Sequence, residues 1–179
     1  MNLEKADLFA IVQFGNYQLF TEKLKIIKNT LDNIKNEKDL QGISLLQRSI
    51  IGKNFDISKE LLLLNCKINV ISKEGYNELH YIYANLKTKE SFSVAKKIIE
   101  KGGDLNLKDK LYGNTPFNYI CQEAIKQHNQ TEDFFDFVKF CMKYNPDLNS
   151  NNFYNINIIK LVKESKNEKL IQIILNNKN

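Results

Sequence analysis

The side chains that could do chemistry in this chain are few, and their spacing is the first thing to weigh. Among 179 residues there are two histidines, His80 and His128, and three cysteines, Cys66, Cys121 and Cys141. Nucleophilic catalysis needs a nucleophile and a base within hydrogen-bond reach, and a third group to orient the base. No Ser/His/Asp or Cys/His set here has a spacing that suggests such contact. A metal centre would need paired cysteines or Cys/His ligands at short, regular intervals, and none occur. The carboxylates Glu123, Glu132, Asp133 and Asp136 cluster loosely on helical stretches, where charged faces are ordinary. The seven glycines stand at turns and form no phosphate-cradling loop. The cysteines, odd in number and set in apolar surroundings, read as buried reduced thiols. These residues predict no catalytic group, no cofactor, no metal and no small-molecule substrate: a chain that is not an enzyme.

The elements that position these residues are written in a composition of 42% hydrophobic and 26% charged residues, which describes a globular domain with a core of its own. The formal charge of +5 is almost wholly lysine, with Arg48 the one arginine. The lysines are dispersed and alternate with acids, as in Glu22-Lys23 and Lys163-Glu164. Nucleic-acid binders concentrate charge and favour arginine for bidentate contacts, so the pattern argues against nucleic acid as the partner. The apolar run Leu8 to Val12 is too short for a secretory signal, and no stretch reaches transmembrane length. No membrane insertion is expected, and the chain reads as cytoplasmic.

The strongest organisational signal is a set of apolar columns in step. The positions Ile57, Val94, Phe137 and Leu170 share their intervals with the pairs Leu61-Leu62, Ile98-Ile99, Cys141-Met142 and Ile174-Leu175. Asn69, Asn106 and Asn149 repeat the first two of these intervals. Shared intervals across unlike residue types indicate one unit copied several times, and a period near 33 is that of a stacked helical solenoid. Within the unit from 107 to 149, Thr115 caps a helix that opens on Pro116, whose missing N–H is no loss at a helix start. Phe117, Ile120 and Cys121 form its apolar stripe. Thr131 caps a second helix, with Phe134, Phe137, Val138, Cys141 and Met142 on its buried side. In the preceding unit Asn77 takes the place of Thr115, and Gly102 follows the last periodic residue as a left-handed terminator. A less regular pair of helices, 6–14 and 17–31, precedes these units. Extra residues near Leu86–Ser91 and Gln122–Gln130 lengthen two inter-helix turns.

With these motifs the chain resembles the ankyrin-repeat family, on Gly113-Asn114-Thr115-Pro116-Phe117, Leu79-His80, Gly102-Gly103-Asp104-Leu105-Asn106 and Asp147-Leu148-Asn149. The resemblance covers about residues 39–175. It implies an all-α solenoid of about five helical pairs in one domain, 1–179. The units would be an N-terminal cap at 1–38, repeats at 39–71, 72–106 and 107–149, and a C-terminal cap at 150–179. It also implies that His80 hydrogen-bonds locally and holds its loop, and that a partner meets the projecting loop tips and the exposed side of the first helices.

On that mapping the tips carry Gln41 and Ile43, then Lys73, Glu74 and Tyr76, then Lys110, Leu111 and Tyr112, then Asn152, Phe153 and Tyr154. Aromatic side chains at projecting turns are unusual, and tyrosine is enriched where binding energy concentrates. The expected function is a non-enzymatic protein–protein interaction module. Its partner would be a cognate toxin occluded by an immunity protein, or a host protein engaged by an effector, which would then be delivered into a host cell. A lysine-mediated binder of nucleic acid or acidic surfaces, and a self-associating scaffold, are the alternatives.

Overall fold

The computed structural model describes residues 5–126 and 129–176; His128 lies outside them. The described residues form eleven α-helices and, beyond these, one isolated backbone bridge between Lys38 and Ser44. The fold class is all-α. In chain order the helices are α1 (Leu8–Phe14), α2 (Tyr17–Ile26), α3 (Leu31–Ile34), α4 (Leu45–Ile51), α5 (Phe55–Leu63) and α6 (Glu78–Ile82). After a 3-10 turn at Tyr83–Asn85 come α7 (Lys89–Glu100), α8 (Pro116–Ile125), α9 (Glu132–Met142), α10 (Ile158–Ser165) and α11 (Glu168–Leu175).

Helix starts follow from side-chain capping, because the first-turn amides have no partner within the helix. Thr115 Oγ1 accepts from Asn118 N at 3.1 Å, while Asn118 Oδ1 accepts from Thr115 N at 2.9 Å. Pro116 occupies the first position of α8. Asn77 Oδ1 accepts from Leu79 N and His80 N, and His80 Nδ1 in turn accepts from Asn77 N at 3.1 Å. Ser44 with Gln47 and Thr88 with Ser91 build the same reciprocal box at α4 and α7. At the N-terminus the structure departs from the two helices expected at 6–14 and 17–31. Asp7 caps α1 at Leu8, so the helix starts two residues later. The second helix ends at Ile26, and Thr30 N and Oγ1 both bond back to Ile27 O, a tight local turn that sets off the short α3.

The helices pack in two rows. In one, α1 meets α4, α4 meets α6, α6 meets α8 and α8 meets α10; in the other, α2 meets α5, α5 meets α7, α7 meets α9 and α9 meets α11. A single hydrophobic cluster runs between them from Leu8 to Ile174. The column residues Ile57, Val94, Phe137 and Leu170 are all buried in it. Neighbouring segments are also tied by backbone-mimicking amides. Asn69 adopts a left-handed backbone, donates from Nδ2 to Gly102 O and accepts from Asp104 N at 2.8 Å. Asn106 Oδ1 accepts from Asp147 N at 2.7 Å in the same way.

Candidate functional site

One edge of the molecule is a row of four tight turns, at 39–43, 72–76, 109–114 and 152–156. Each closes on itself by a backbone bond: Asp39 N to Ile43 O, Ser72 N to Tyr76 O, Asp109 N to Asn114 O and Asn152 N to Ile156 O, all between 2.9 and 3.0 Å. Each of the last three also donates to the turn before it: Lys73 N to Gln41 O, Lys110 N to Glu74 O and Phe153 N to Tyr112 O. The row is therefore continuous, with each turn positioned by its neighbour. Side chains lock the turns from inside. Asp39 Oδ1 accepts from Gln41 N and Ile43 N. Asp109 accepts from Leu111 N, Tyr112 N and Asn114 N, and Asn152 Oδ1 accepts from Tyr154 N and Ile156 N.

This geometry sorts the residues expected at the tips. Lys73, Glu74, Lys110, Leu111, Tyr112, Phe153 and Tyr154 are exposed, Phe153 and Tyr154 by about two thirds. Gln41 is exposed and held by Arg48, which donates to its Oε1 at 2.9 Å and pairs with Asp39. Two of the expected tip residues are buried. Ile43 is buried, with its N–H donating to Asp39 Oδ1 and its carbonyl closing the turn on Asp39 N. Asn152 is buried too, since the residue that satisfies the turn's amides must point inward; its Nδ2 donates to Asn114 Oδ1 at 2.9 Å. Tyr76 is only partly exposed, its ring stacked on His80 with centroids 5.2 Å apart.

Behind the second and third turns lies an aromatic and polar cluster that sequence reasoning missed. Tyr83 stacks on Tyr119 at 4.5 Å and 10°, and Tyr81 meets Tyr76 edge-on. Tyr119 donates its hydroxyl to Asp109 Oδ2 at 3.0 Å. His80 Nε2 lies 3.3 Å from Asn114 O; with Nδ1 accepting from Asn77 N, the proton is assigned to Nε2. Burial lowers the His80 pKa, which favours the neutral form of this ring. A signal for the cluster existed: Tyr81 and Tyr119 each stand four residues after a helix cap, Asn77 and Thr115. Lys108 is a further exposed lysine of this edge, and its ammonium donates to Asn151 O at 2.6 Å.

The reactive side chains are poorly disposed to react. All three cysteines are free and buried; burial raises the Cys66 thiol to about 11 and pushes those of Cys121 and Cys141 up as well. The thiolate needed for nucleophilic attack is thereby disfavoured. Among the described residues no three His, Cys, Asp or Glu side chains gather as a metal site would require. Among them, too, no helix is long and apolar enough to cross a membrane.

No protein-family model matches the chain. A curated relative, a tRNA uridine(34) hydroxylase of Prochlorococcus marinus (strain MIT 9215), is 35% identical over 98 residues, covering 54% of this chain and 29% of that protein. The chain thus spans under a third of the length of the curated relative it matches.

These findings correct the functional expectations. The ankyrin-repeat resemblance is not supported by any family model, and the relative found carries another name. Its apparent motifs are helix caps and turn closers: Thr115, Asn77 and His80 satisfy amides at helix starts, a requirement of any short helix. The expected non-enzymatic protein-binding module, with its immunity, toxin-inhibitor and effector forms, gives way because the similar protein is by name an enzyme. The expectation that the chain is not an enzyme falls on the same ground, and so does the argument against nucleic acid, since that enzyme's name contains tRNA.

Proposed function

We propose that this chain is an RNA-contacting helical unit acting in tRNA modification in the cytoplasm, and that the row of turns is the face that holds the RNA. The observation that carries the reading is that three lysines and three exposed rings share one hydrogen-bonded edge, with Glu74 the exposed acid beside Lys73. Lys73, Lys108 and Lys110 neighbour Tyr112, Phe153 and Tyr154, with Gln41 and Leu111 beside them. Lysines neutralise phosphates, and aromatic faces stack on unpaired bases whatever their sequence. The name of the partial relative supports tRNA as the substrate class and a uridine as the base modified. Hydroxylation of that uridine is the activity attached to this reading, and the turn edge supplies the RNA-holding part of it.

The architecture that goes with this proposal is a stacked solenoid of five helical pairs in one domain, 1–179, divided at 1–38, 39–71, 72–106, 107–149 and 150–179. The two rows of consecutive helix contacts support it. A stack of this kind keeps the turns in line, so that little conformational freedom is lost when RNA lies across them.

Fluorescence anisotropy with labelled tRNA over a range of salt concentrations tests the reading. Saturable binding is expected, with a log–log salt slope that falls by about 0.7–0.9 for each phosphate-contacting lysine removed. The triple change Lys73→Ala, Lys108→Ala, Lys110→Ala should therefore flatten the slope by about two. Absence of saturable binding at low ionic strength, or a triple variant with the native slope, would overturn it.

A further inference from the structure

The tyrosine cluster behind the turns has an arrangement that packing alone does not require. It consists of two stacked pairs of rings. In each pair one ring is buried and the other partly exposed: His80 lies beneath Tyr76, and Tyr119 beneath Tyr83. The two buried rings meet edge to face, with centroids 6.0 Å apart and planes at 74°. Both buried rings are fixed by hydrogen bonds, Tyr119 to Asp109 and His80 to Asn77 and Asn114. The outer rings therefore rest on buried, hydrogen-bonded rings.

We infer that Tyr83, backed by Tyr119, forms a preorganised stacking face for an unpaired nucleobase, distinct from the lysines of the turn edge; the Tyr76 ring lies in a steeply inclined plane and flanks this face without continuing it. This inference rests on the RNA reading above, and deepens it by naming the element of RNA that is recognised. Three features support it. A ring already backed by another ring loses little freedom when a base stacks on its outer side. The outer ring belongs to a phenol, whose hydroxyl can donate to or accept from a base edge. The platform adjoins the edge that carries Lys73 and Lys110, so a backbone held there could direct a splayed base inward; splayed, unpaired bases are the usual targets of sequence-reading RNA binders. Of the neighbouring carboxylates, Asp109 is buried and engaged by amides and Tyr119, Glu123 is paired with Lys126, and the exposed Glu74 accepts from Ser72 Oγ beside Lys73, on the Tyr76 side of the cluster.

The test uses the full chain and a single-stranded, uridine-rich oligonucleotide carrying one 2-aminopurine, whose emission is quenched on stacking. Quenching and tight binding are expected for the native chain and for Tyr83→Phe, which keeps the ring. Tyr83→Leu retains apolar packing on Tyr119 but removes the π face. It should lose the quenching and weaken binding about tenfold, within the range measured for single base–aromatic stacks, while leaving the salt slope unchanged. A fully paired duplex of the same composition should show no quenching. Equal quenching and affinity in the native and Tyr83→Leu chains, both folded by circular dichroism, would refute the platform. If the triple lysine variant meanwhile loses binding, the RNA reading stands without the platform. If the native chain binds no RNA at all, both fall.

Discussion

At the scale of single residues, the most consequential side chain is Glu78. It opens α6, is fully buried, and its carboxylate accepts from Asn69 N at 2.9 Å, Val70 N at 3.2 Å and Gln47 Nε2 at 3.3 Å. Desolvation nevertheless dominates these bonds, and burial raises its pKa from 4.5 to about 7. A carboxyl whose folded pKa is raised binds its proton more tightly in the native state than in the unfolded one. Its contribution to stability is thus fully present below pH 4.5 and is lost as pH rises through about 7. The shift corresponds to roughly 3 kcal/mol. Urea unfolding across pH 4–8 should reveal this decline, and Glu78→Gln should flatten it; an unchanged profile in the variant would show that other groups are responsible. Nothing in the local sequence announced Glu78, because an acid in a first helical turn is ordinarily a solvated dipole partner. Its burial arises from Gln47 and the 69–70 segment, which only the folded chain brings alongside.

At the scale of elements, two changes probe the turns and the helices separately. Gly113 has a φ of +68°, and a Cβ there would lie 2.8 Å from the Phe153 ring. Gly113→Ala should destabilise the chain by more than about 1 kcal/mol, since both the left-handed backbone and the ring must adjust. A melting temperature equal to the native one would mean that the two turns are not packed as described. Phe137 is wholly buried on α9, with its ring 5.4 Å from that of Phe92 on α7. Phe137→Ala should cost about 3–5 kcal/mol by cavity formation, measured by chemical denaturation. Much of this level was legible beforehand. Thr115, Asn77 and Thr131 marked helix starts because capping is a local transaction between a side chain and amides two or three residues on. Phe137 and its column marked the core because helical periodicity is likewise local. Burial of Ile43 and Asn152 was not legible, since it depends on which side of a turn faces the interior. The tyrosine pairs escaped for a similar reason: Tyr83 and Tyr119 lie 36 residues apart, and their stacking follows from how the 3-10 turn at Tyr83–Asn85 is set against α8.

At the scale of the whole molecule, composition misled where structure and similarity inform. Dispersed lysines alternating with acids read as a solvated surface, yet folding brings Lys73, Lys108 and Lys110 to one edge beside exposed rings. Short cap-and-turn motifs read as ancestry, although the partial relative found is a tRNA-modifying enzyme. The most direct measurement of the central claim is photocrosslinking of 4-thiouridine-substituted tRNA to the intact chain, with the adducts mapped by mass spectrometry. Adducts on the peptides that carry Lys73 to Tyr83, Lys108 to Tyr112 and Asn151 to Tyr154 are the expected result. Adducts confined to α5, α7 and α9 on the second row of helices, or none at all, would contradict it.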